Sequence, residues 1–188
     1  AQPCCYQIQT LKSVVENAKN PLLTKKPVHM SKAFIALGSN LQDPVLQVKN
    51  AFNALKKIPK TELVRASSLY ITSPIGYDNQ PDFINAVAEL NTQLSPEILL
   101  DALHTIENAA GRERPFPNAP PVLDCDLLLY ENVAMRSTKL TLPHPRMHER
   151  AFVLLPLAEI APELSLPDGS NVVKLAQHFI NQGIRKLE

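Results

Sequence analysis

Glycine is scarce in this chain, which has only five glycines among its 188 residues. The phosphate-binding motifs G-x-x-x-x-G-K-[ST] and G-x-G-x-x-G both need glycines close together in the sequence. Here the glycines are too far apart for either motif, because they stand at Gly38, Gly76, Gly111, Gly169 and Gly183. The sequence therefore excludes a P-loop and a Rossmann-type phosphate site.

Cysteine is also rare, and the three cysteines are Cys4, Cys5 and Cys125. An odd number without a C-x-x-C pair excludes a disulfide framework and a cysteine zinc site, and it fits a reducing compartment. The chain has no apolar run of about 18 residues and no basic-then-apolar signal peptide. We therefore expect a cytoplasmic protein without a membrane segment.

Neither sign of charge dominates, with 19 Lys and Arg against 18 Asp and Glu. Such a balance gives no global field that would attract nucleic acid or an anionic membrane, so an anion must bind at a local cluster of cations. We expect small-molecule ligands, no nucleic-acid or membrane partner, and a monomer.

The length and the hydrophobic content of 45% predict a single buried core. Residues 1–29 differ from the rest, since a weakly amphipathic stretch precedes the basic, proline-containing "NPLLTKKPVHM". This segment is expected to be either a non-core extension of cloning origin or a docked accessory helix. Residues 30–188 are expected to form the functional domain.

Apolar runs separated by capping residues and prolines predict the order strand, helix, strand, strand, helix, strand. The strands are "KAFIALG", "ELVRASSLYITS", "FINAVAELNTQ" and residues 122–130, and the helices begin at Asp43-Pro44 and Ser95-Pro96, where a capping side chain precedes a proline. This order is that of a ferredoxin-like α+β fold, an antiparallel sheet with helices on one face. Two further helices are predicted, at about 149–159 and in "NVVKLAQHFINQ".

Two carboxylates stand one residue apart in the apolar run "PPVLDCDLLLY". Side chains alternate along a strand, so Asp124 and Asp126 share one face about 6 to 7 Å apart, while Leu123, Cys125 and Leu127 face the other way. Carboxylates in this arrangement can hold a pair of Mg²⁺ ions for phosphoryl-type transfer. The alternative is that both aspartates face solvent at the end of the strand.

Cationic residues bracket this acidic pair on both sides. Each of them alone is best explained as a solvated surface charge, but together they are what a magnesium-triphosphate site needs. They are Arg112, Arg114, Lys139, His144, Arg146 and Arg150.

Four other residues suggest a ligand site, each with a plainer alternative. Asn85 in an apolar surround can read the edge of a heterocycle or satisfy nearby backbone. Phe83 and Phe152 can stack on a planar ring or simply belong to the core. Glu107 is explained without a ligand as a surface or capping residue.

Several sequence blocks between Lys32 and about Gly169 together resemble one family, the 6-hydroxymethyl-7,8-dihydropterin pyrophosphokinases of folate synthesis. The resemblance implies a transferase that passes the terminal pyrophosphate of ATP to the hydroxymethyl oxygen of the pterin and releases AMP. The blocks, in order, are "ALGSNL", "SSLYITSPIGYDNQPDFINAV", "LSPEILL", "IENAAGRER", "LDCDLLLY" and "LTLPHPRMHERAFVLLPLAEIAPEL".

The resemblance also implies roles for individual positions. Asp124 and Asp126 correspond to the pair that binds two Mg²⁺, and Arg112 to a catalytic-loop arginine. Asn85 and the carbonyl region of Thr72 correspond to the groups that bind the edge of the pterin. The residues that correspond to the apolar walls of the pterin site are Ile75, Phe83 and Phe152. The positions that correspond to ATP contacts are Glu107, Arg114, Leu127, Lys139, Thr141, His144 and Arg150.

One departure from the family pattern concerns the entry to the aspartate strand. The family usually has P-R-x-L-D-x-D there, and Pro121 stands in the position of the arginine. Proline carries no charge and no N–H. The alternative function is therefore a catalytically impaired relative that binds pterin or nucleotide.

Overall fold

The computed structural model describes residues 29–73, 81–111, 122–180 and 182–187. Residues 1–28 lie outside this range, so the predicted extension at 1–29 and its boundary stay predictions. Within the described ranges the first strand, β1, runs from Ser31 to Ser39.

Capping signals place the first two helices as the sequence predicts. Helix α1 covers Pro44–Leu55, and the side chain of Asp43 accepts a hydrogen bond from the backbone N–H of Leu46. Helix α2 covers Pro96–Ala109, and Ser95 accepts in the same way from the N–H of Ile98. Each cap satisfies a backbone donor that has no partner within the helix, and the proline then fixes the first turn.

The predicted strand "ELVRASSLYITS" is two strands, β2 at Thr61–Ala66 and β3 at Tyr70–Thr72. The break has a local cause at Ser67. Its hydroxyl accepts a hydrogen bond from the N–H of Val87 at 2.9 Å and donates to the carbonyl of Ser68 at 2.8 Å. A side chain thus replaces a backbone acceptor, and regular pairing is interrupted.

The longest strand, β4, covers Phe83–Thr92, and β5 covers Asp124–Tyr130, both as predicted. The C-terminal region differs from the prediction, because the helix expected up to Gln182 ends much earlier. Between β5 and helix α3 at Ala151–Ile160 lie the short hairpin β6 and β7 at Met135–Arg136 and Thr141–Leu142 and a 3₁₀ turn at Met147–Glu149. Helix α4 at Val172–Gln177 and strand β8 at Ile184–Lys186 follow α3.

The main sheet has the order β5-β1-β4-β3-β8, with β2 also paired to β4, and all pairs between these strands are antiparallel. Both faces of the sheet are covered by helices. Neighbouring residues of β1 show this, since Ile35 packs in a cluster with Leu55 of α1 and Leu103 of α2, whereas Phe34 packs with Leu154 of α3.

The expectation of helices on one face is therefore wrong for the second half of the chain. Strand β5 carries buried residues on both sides, with Leu127 in the cluster under α1 and α2 and Leu128 in the cluster under α3 and α4. An apolar run without alternation leaves both faces in need of cover. The result is a mixed helix and antiparallel-sheet domain.

Candidate active site

A cavity of about 390 Å³ opens at one end of the sheet, beside the beginning of α3. This volume lies in the range of small-molecule sites. Strands β1, β3, β4, β5 and β8 all contribute to its walls. The lining residues are Ala36, Leu37, Gly38, Thr72, Ser73, Phe83, Asn85, Asp124, Asp126, Glu149, Arg150, Ala151, Phe152, Gln182 and Ile184.

Gly38 forms the floor between the two chemically different sides of the cavity. In the sheet register it pairs with Asn85 on one side and with Asp124 on the other. Directly paired residues point to the same face of a sheet, so all three positions face the cavity. A Cβ atom at Gly38 would lie 3.4 Å from Oδ1 of Asn85. The absence of a side chain therefore keeps the floor open.

The two aspartates project to the cavity face of β5, as the alternation predicts. Asp126 pairs with Ala36, while Cys125 between them is buried in the opposite cluster. Asp124 keeps access to solvent, but it lies in a concave site crowded by protein. Burial first, then the charges of Asp126 and Glu107 and a hydrogen bond with Glu107, raise the pKa of Asp124 to about 6.

Glu107 is buried on α2, with 3% of its surface exposed. Its Oε1 accepts a hydrogen bond of 3.0 Å from the backbone N–H of Cys125. The prediction of a surface or capping residue is therefore wrong, because this buried N–H at the start of β5 requires an acceptor. Glu107 thus fixes the segment that carries both aspartates.

Arg150 meets the aspartate pair from the beginning of α3. Its Nη1 donates a hydrogen bond to Oδ2 of Asp126 at 3.0 Å, and its guanidinium lies 5.6 Å from the centroid of the Phe152 ring. Nε2 of His144 lies 3.8 Å from the same Asp126 oxygen. Burial lowers the pKa of His144, and the attraction of Asp126 offsets this only partly.

The opposite side of the cavity is aromatic and has one amide. Phe83 and Phe152 are half-buried and line the cavity. Asn85 is 4% exposed, and its Nδ2 donates a hydrogen bond of 3.0 Å to Oγ1 of Thr72. The described partner of this amide is thus a side chain, and the hydrogen bond fixes the orientation of Asn85.

Five predicted ATP contacts are not among the lining residues: Glu107 and His144, which contact the aspartate strand as described above, and Leu127, Lys139 and Thr141. The side chain of Leu127 is buried under α1 and α2, on the other face of the sheet. Lys139 is exposed, with its Nζ 4.0 Å from Oδ1 of Asp101, and Thr141 lies in the β6–β7 hairpin. Ile75, Arg112, Arg114 and Pro121 lie outside the described residues, so their predicted roles are not tested.

Several lining residues are not indicated by any sequence pattern. Gln182 and Ile184 were expected in or after a helix, and no motif marked them. Gly38 was recognised only as the end of a strand, although a glycine between two candidate ligand residues on neighbouring strands would have been a signal. That signal depends on the register, which the sequence does not contain.

Within the described ranges, no group of three or more His, Cys, Asp or Glu side chains is arranged to hold a metal ion. The cavity lining includes Asp124, Asp126 and Glu149, and Mg²⁺ bound to a nucleotide commonly uses one or two protein carboxylates together with the phosphates. Among the same residues, no helix is long and apolar enough to cross a membrane.

The family model for 7,8-dihydro-6-hydroxymethylpterin-pyrophosphokinase (HPPK) matches residues 34–162. The chain belongs to this family. The 2-amino-4-hydroxy-6-hydroxymethyldihydropteridine pyrophosphokinase of Haemophilus influenzae is 45% identical over 158 residues, which are 84% of this chain and 99% of the relative. The enzyme of the same name from Pseudomonas aeruginosa is 44% identical over 158 residues, 84% of this chain and 98% of that one.

Membership of the pyrophosphokinase family makes the chain a transferase that uses ATP for pyrophosphate transfer in folate biosynthesis. This confirms the activity expected from the sequence. A solved structure of wild-type Plasmodium falciparum HPPK-DHPS with pteroate is similar in fold, with a TM-score of 0.69 and 14% identity. The match covers 84% of this chain and 48% of that chain, so this chain spans about half of its length.

Proposed function

We propose that this one cavity binds both substrates, with the pterin on the side of Phe83 and Asn85 and the ATP triphosphate on the side of Asp124 and Asp126. The observation that supports this most strongly is the register at Gly38. This register places the amide of Asn85 on one side of the open floor at Gly38 and the carboxylate of Asp124 on the other. The hydroxymethyl oxygen of a pterin on one side would then lie next to phosphate on the other, and such positioning supplies much of the rate of phosphoryl-type transfer.

The pterin side offers stacking surfaces and a fixed amide. Aromatic side chains bind flat rings through offset or edge contacts. The hydrogen bond from Asn85 to Thr72 directs Oδ1 of Asn85 towards Gly38 and the cavity. An amide oxygen in this position can accept a hydrogen bond from a ring N–H or amino group of the pterin. We propose that Asn85 reads the pterin edge and that Thr72 orients Asn85.

We propose two Mg²⁺ ions at Asp124 and Asp126. The donor set fits, because hard cations prefer carboxylate oxygens. The pKa of Asp124 is raised first by burial and then by repulsion from Asp126 and Glu107, and a divalent cation would relieve that repulsion. When bound, the ions would neutralise phosphate charge. ATP phosphates would complete the ligand set, since the described residues provide no group of three or more His, Cys, Asp or Glu side chains arranged to hold a metal ion.

Basic side chains of the chain supply further charge at the triphosphate. Arg150 already lies at the aspartate pair and can fork onto a phosphate from there. Burial lowers the pKa of His144, which favours the neutral imidazole, and a neutral imidazole can form a hydrogen bond with the nucleotide. Arg112, Arg114, Glu107, Lys139 and Thr141 remain proposed nucleotide contacts, and Leu127 is proposed to contribute through its backbone.

We further propose a ferredoxin-like fold for residues 30–188. If β2 and β3 are counted as two parts of one strand, the order β5-β1-β4-β2/β3 and the helices α1 and α2 follow the split βαβ pattern. The monomeric state and the cytoplasmic location stay predictions.

The substrate assignment is tested by the Michaelis constants of Asn85→Ala. Loss of a buried hydrogen-bonding group that reads one substrate should raise KM for the pterin at least about tenfold, roughly 1.4 kcal/mol, and leave KM for ATP within about twofold. The control is Asn53→Ala, since Asn53 is exposed on α1. An equal change in both KM values, or a change for ATP alone, would contradict the assignment.

A further inference from the structure

The C-terminal strand reaches the cavity through Ile184. In the sheet, Ile184 pairs with Thr72 of β3, and Thr72 pairs with Phe83 of β4. Paired residues share a face, so Ile184 continues the row that Phe83 begins. Ile184 is half-buried and lines the cavity. An apolar side chain in this row enlarges the apolar surface on the aromatic side of the site.

One carboxylate ties this strand to its surroundings. Glu159, near the end of α3, accepts hydrogen bonds from Nζ of Lys186 at 2.8 Å and from the hydroxyl of Tyr70 at 3.0 Å. It also accepts from the hydroxyl and the backbone N–H of Ser68, at 2.8 and 3.1 Å. Glu159 thus joins α3, the β2–β3 connection with the beginning of β3, and β8.

Each of these three elements reaches the cavity at its other end. Helix α3 begins there with Phe152, β3 ends there with Thr72, and β8 begins there with Ile184. The Glu159 contact and the cavity are two residues apart on β3, from Tyr70 to Thr72, and on β8, from Lys186 to Ile184, and about two turns apart on α3. Glu159 therefore contacts three elements that each form a wall of the same site.

The electrostatics of the contact match this arrangement. Burial alone would raise the pKa of Glu159, but the hydrogen bonds from Lys186, Ser68 and Tyr70 outweigh it, so the pKa is lowered. The carboxylate is therefore charged at neutral pH and holds its donors by charge-assisted hydrogen bonds, which are stronger than neutral ones.

We propose that β8 is part of the substrate site, with Ile184 as an apolar wall for the pterin and Glu159 as the positioning residue that holds β3, β8 and α3 in register around it. This inference rests on the pterin placement proposed above. It assigns to the C-terminal strand a role in substrate selectivity.

The first test is Ile184→Ala, measured by equilibrium titration with 6-hydroxymethyl-7,8-dihydropterin and by KM for both substrates. Removing part of a half-buried apolar wall should weaken pterin binding about fivefold and leave KM for ATP unchanged. The matched control is Arg185→Ala, because Arg185 is exposed on the other face of the same strand. Ile184→Val keeps most of the apolar surface and should weaken pterin binding by less than about twofold. This graded response distinguishes the loss of a pterin contact from a general loss of folded protein.

The second test is Glu159→Gln together with Lys186→Met. Both should raise KM for the pterin about threefold or more with little change in KM for ATP, whereas Glu163→Gln, an exposed carboxylate just beyond α3, should change neither. A purely structural role would lower the melting temperature and the yield of active enzyme without this selectivity. That outcome, or an Ile184→Ala enzyme with wild-type pterin affinity, would overturn the proposal.

Failure of the pterin placement itself is recognisable separately. If Asn85→Ala also leaves pterin affinity unchanged, the pterin does not lie on this side of the cavity, and both proposals fall. If Asn85→Ala weakens pterin binding and the β8 variants do not, the placement stands and the role of the C-terminal strand is refuted.

Discussion

Arg150 donates a hydrogen bond to Asp126 at 3.0 Å, and this contact makes the aspartate pair unequal. Asp126 has a guanidinium partner, whereas Asp124 lies next to the carboxylates of Asp126 and Glu107. The charge of Arg150 also lowers the pKa of Asp124, but burial and the two carboxylates outweigh it. One carboxyl group of the pair is therefore unfavourably placed as an anion until a cation reaches it.

Asp124→Asn should consequently stabilise the metal-free protein at pH 7.5 while it abolishes activity. The folded pKa of about 6 lies above the ordinary value of 3.8. The contribution of Asp124 to stability is therefore fully present below pH 3.8 and is lost as the pH rises through about 6. Melting temperatures in EDTA should favour the variant at pH 7.5 and converge near pH 4. A variant less stable than the wild type at pH 7.5 would show that the Asp124 anion is not unfavourably placed in the metal-free protein.

Gly38→Ala should damage pterin binding more than folding. The new methyl group would project into the cavity floor, 3.4 Å from Oδ1 of Asn85, which is an ordinary contact distance for the protein alone. A ligand that lies against the floor loses this space, so we expect KM for the pterin to rise at least about tenfold, roughly 1.4 kcal/mol. The melting temperature should fall by only a few degrees. Unchanged KM would mean that the pterin does not approach the floor.

Glu159→Gln should destabilise the protein in a pH-dependent manner. The folded pKa of Glu159 is lowered below its ordinary value of 4.5. Its contribution is therefore present above pH 4.5 and is lost as the pH falls through the lower folded pKa. Urea unfolding at pH 7 should show a free energy of unfolding that is about 1 kcal/mol lower than that of the wild type. The loss is modest because the Glu159 side chain is 27% exposed and solvent partly screens its charge. The difference should shrink towards pH 3, and a loss that does not depend on pH would argue against a charged contact.

Pro121→Arg addresses the alternative of an impaired relative, which no comparison supports. An arginine that meets developing phosphate charge contributes about 10³ to 10⁵ in rate in other phosphoryl-transfer enzymes. If its absence limits this chain, the substitution should raise turnover at least tenfold, about 1.4 kcal/mol of barrier. Unchanged turnover and ATP affinity in a folded variant would mean that another cation, such as Arg150, already supplies this charge.

The local signals of the sequence predicted much of the fold. Asp43 and Ser95 are helix caps followed by prolines, and the alternation of Asp124 and Asp126 put both on one face, because these features depend on neighbouring residues only. The cover on both sheet faces and strand β8 were not predicted. Both depend on contacts between distant segments, such as Glu159 with Lys186, which local periodicity does not report.

In the site, too, sequence motifs identify some residues, whereas others depend on contacts between distant segments. Family resemblance pointed to Asn85, Phe83, Phe152 and Arg150, and all four line the cavity. Gly38 and Ile184 were missed because their importance comes from sheet register. The burial of Glu107 does not follow from the sequence, because it depends on the hydrogen bond that its carboxylate accepts from the backbone N–H of Cys125 on a distant segment.

The most direct measurement is the nucleotide product of a single turnover, with enzyme in excess over ATP and 6-hydroxymethyl-7,8-dihydropterin and with saturating Mg²⁺. The wild-type enzyme should release one AMP for each pterin diphosphate formed. Asp126→Ala should lower the rate by about 100-fold or more, about 2.7 kcal/mol of barrier, with a melting temperature close to that of the control Glu62→Ala, a change at an exposed position of β2. ADP as the product, or an Asp126→Ala enzyme as fast as the wild type, would contradict pyrophosphate transfer at the aspartate pair.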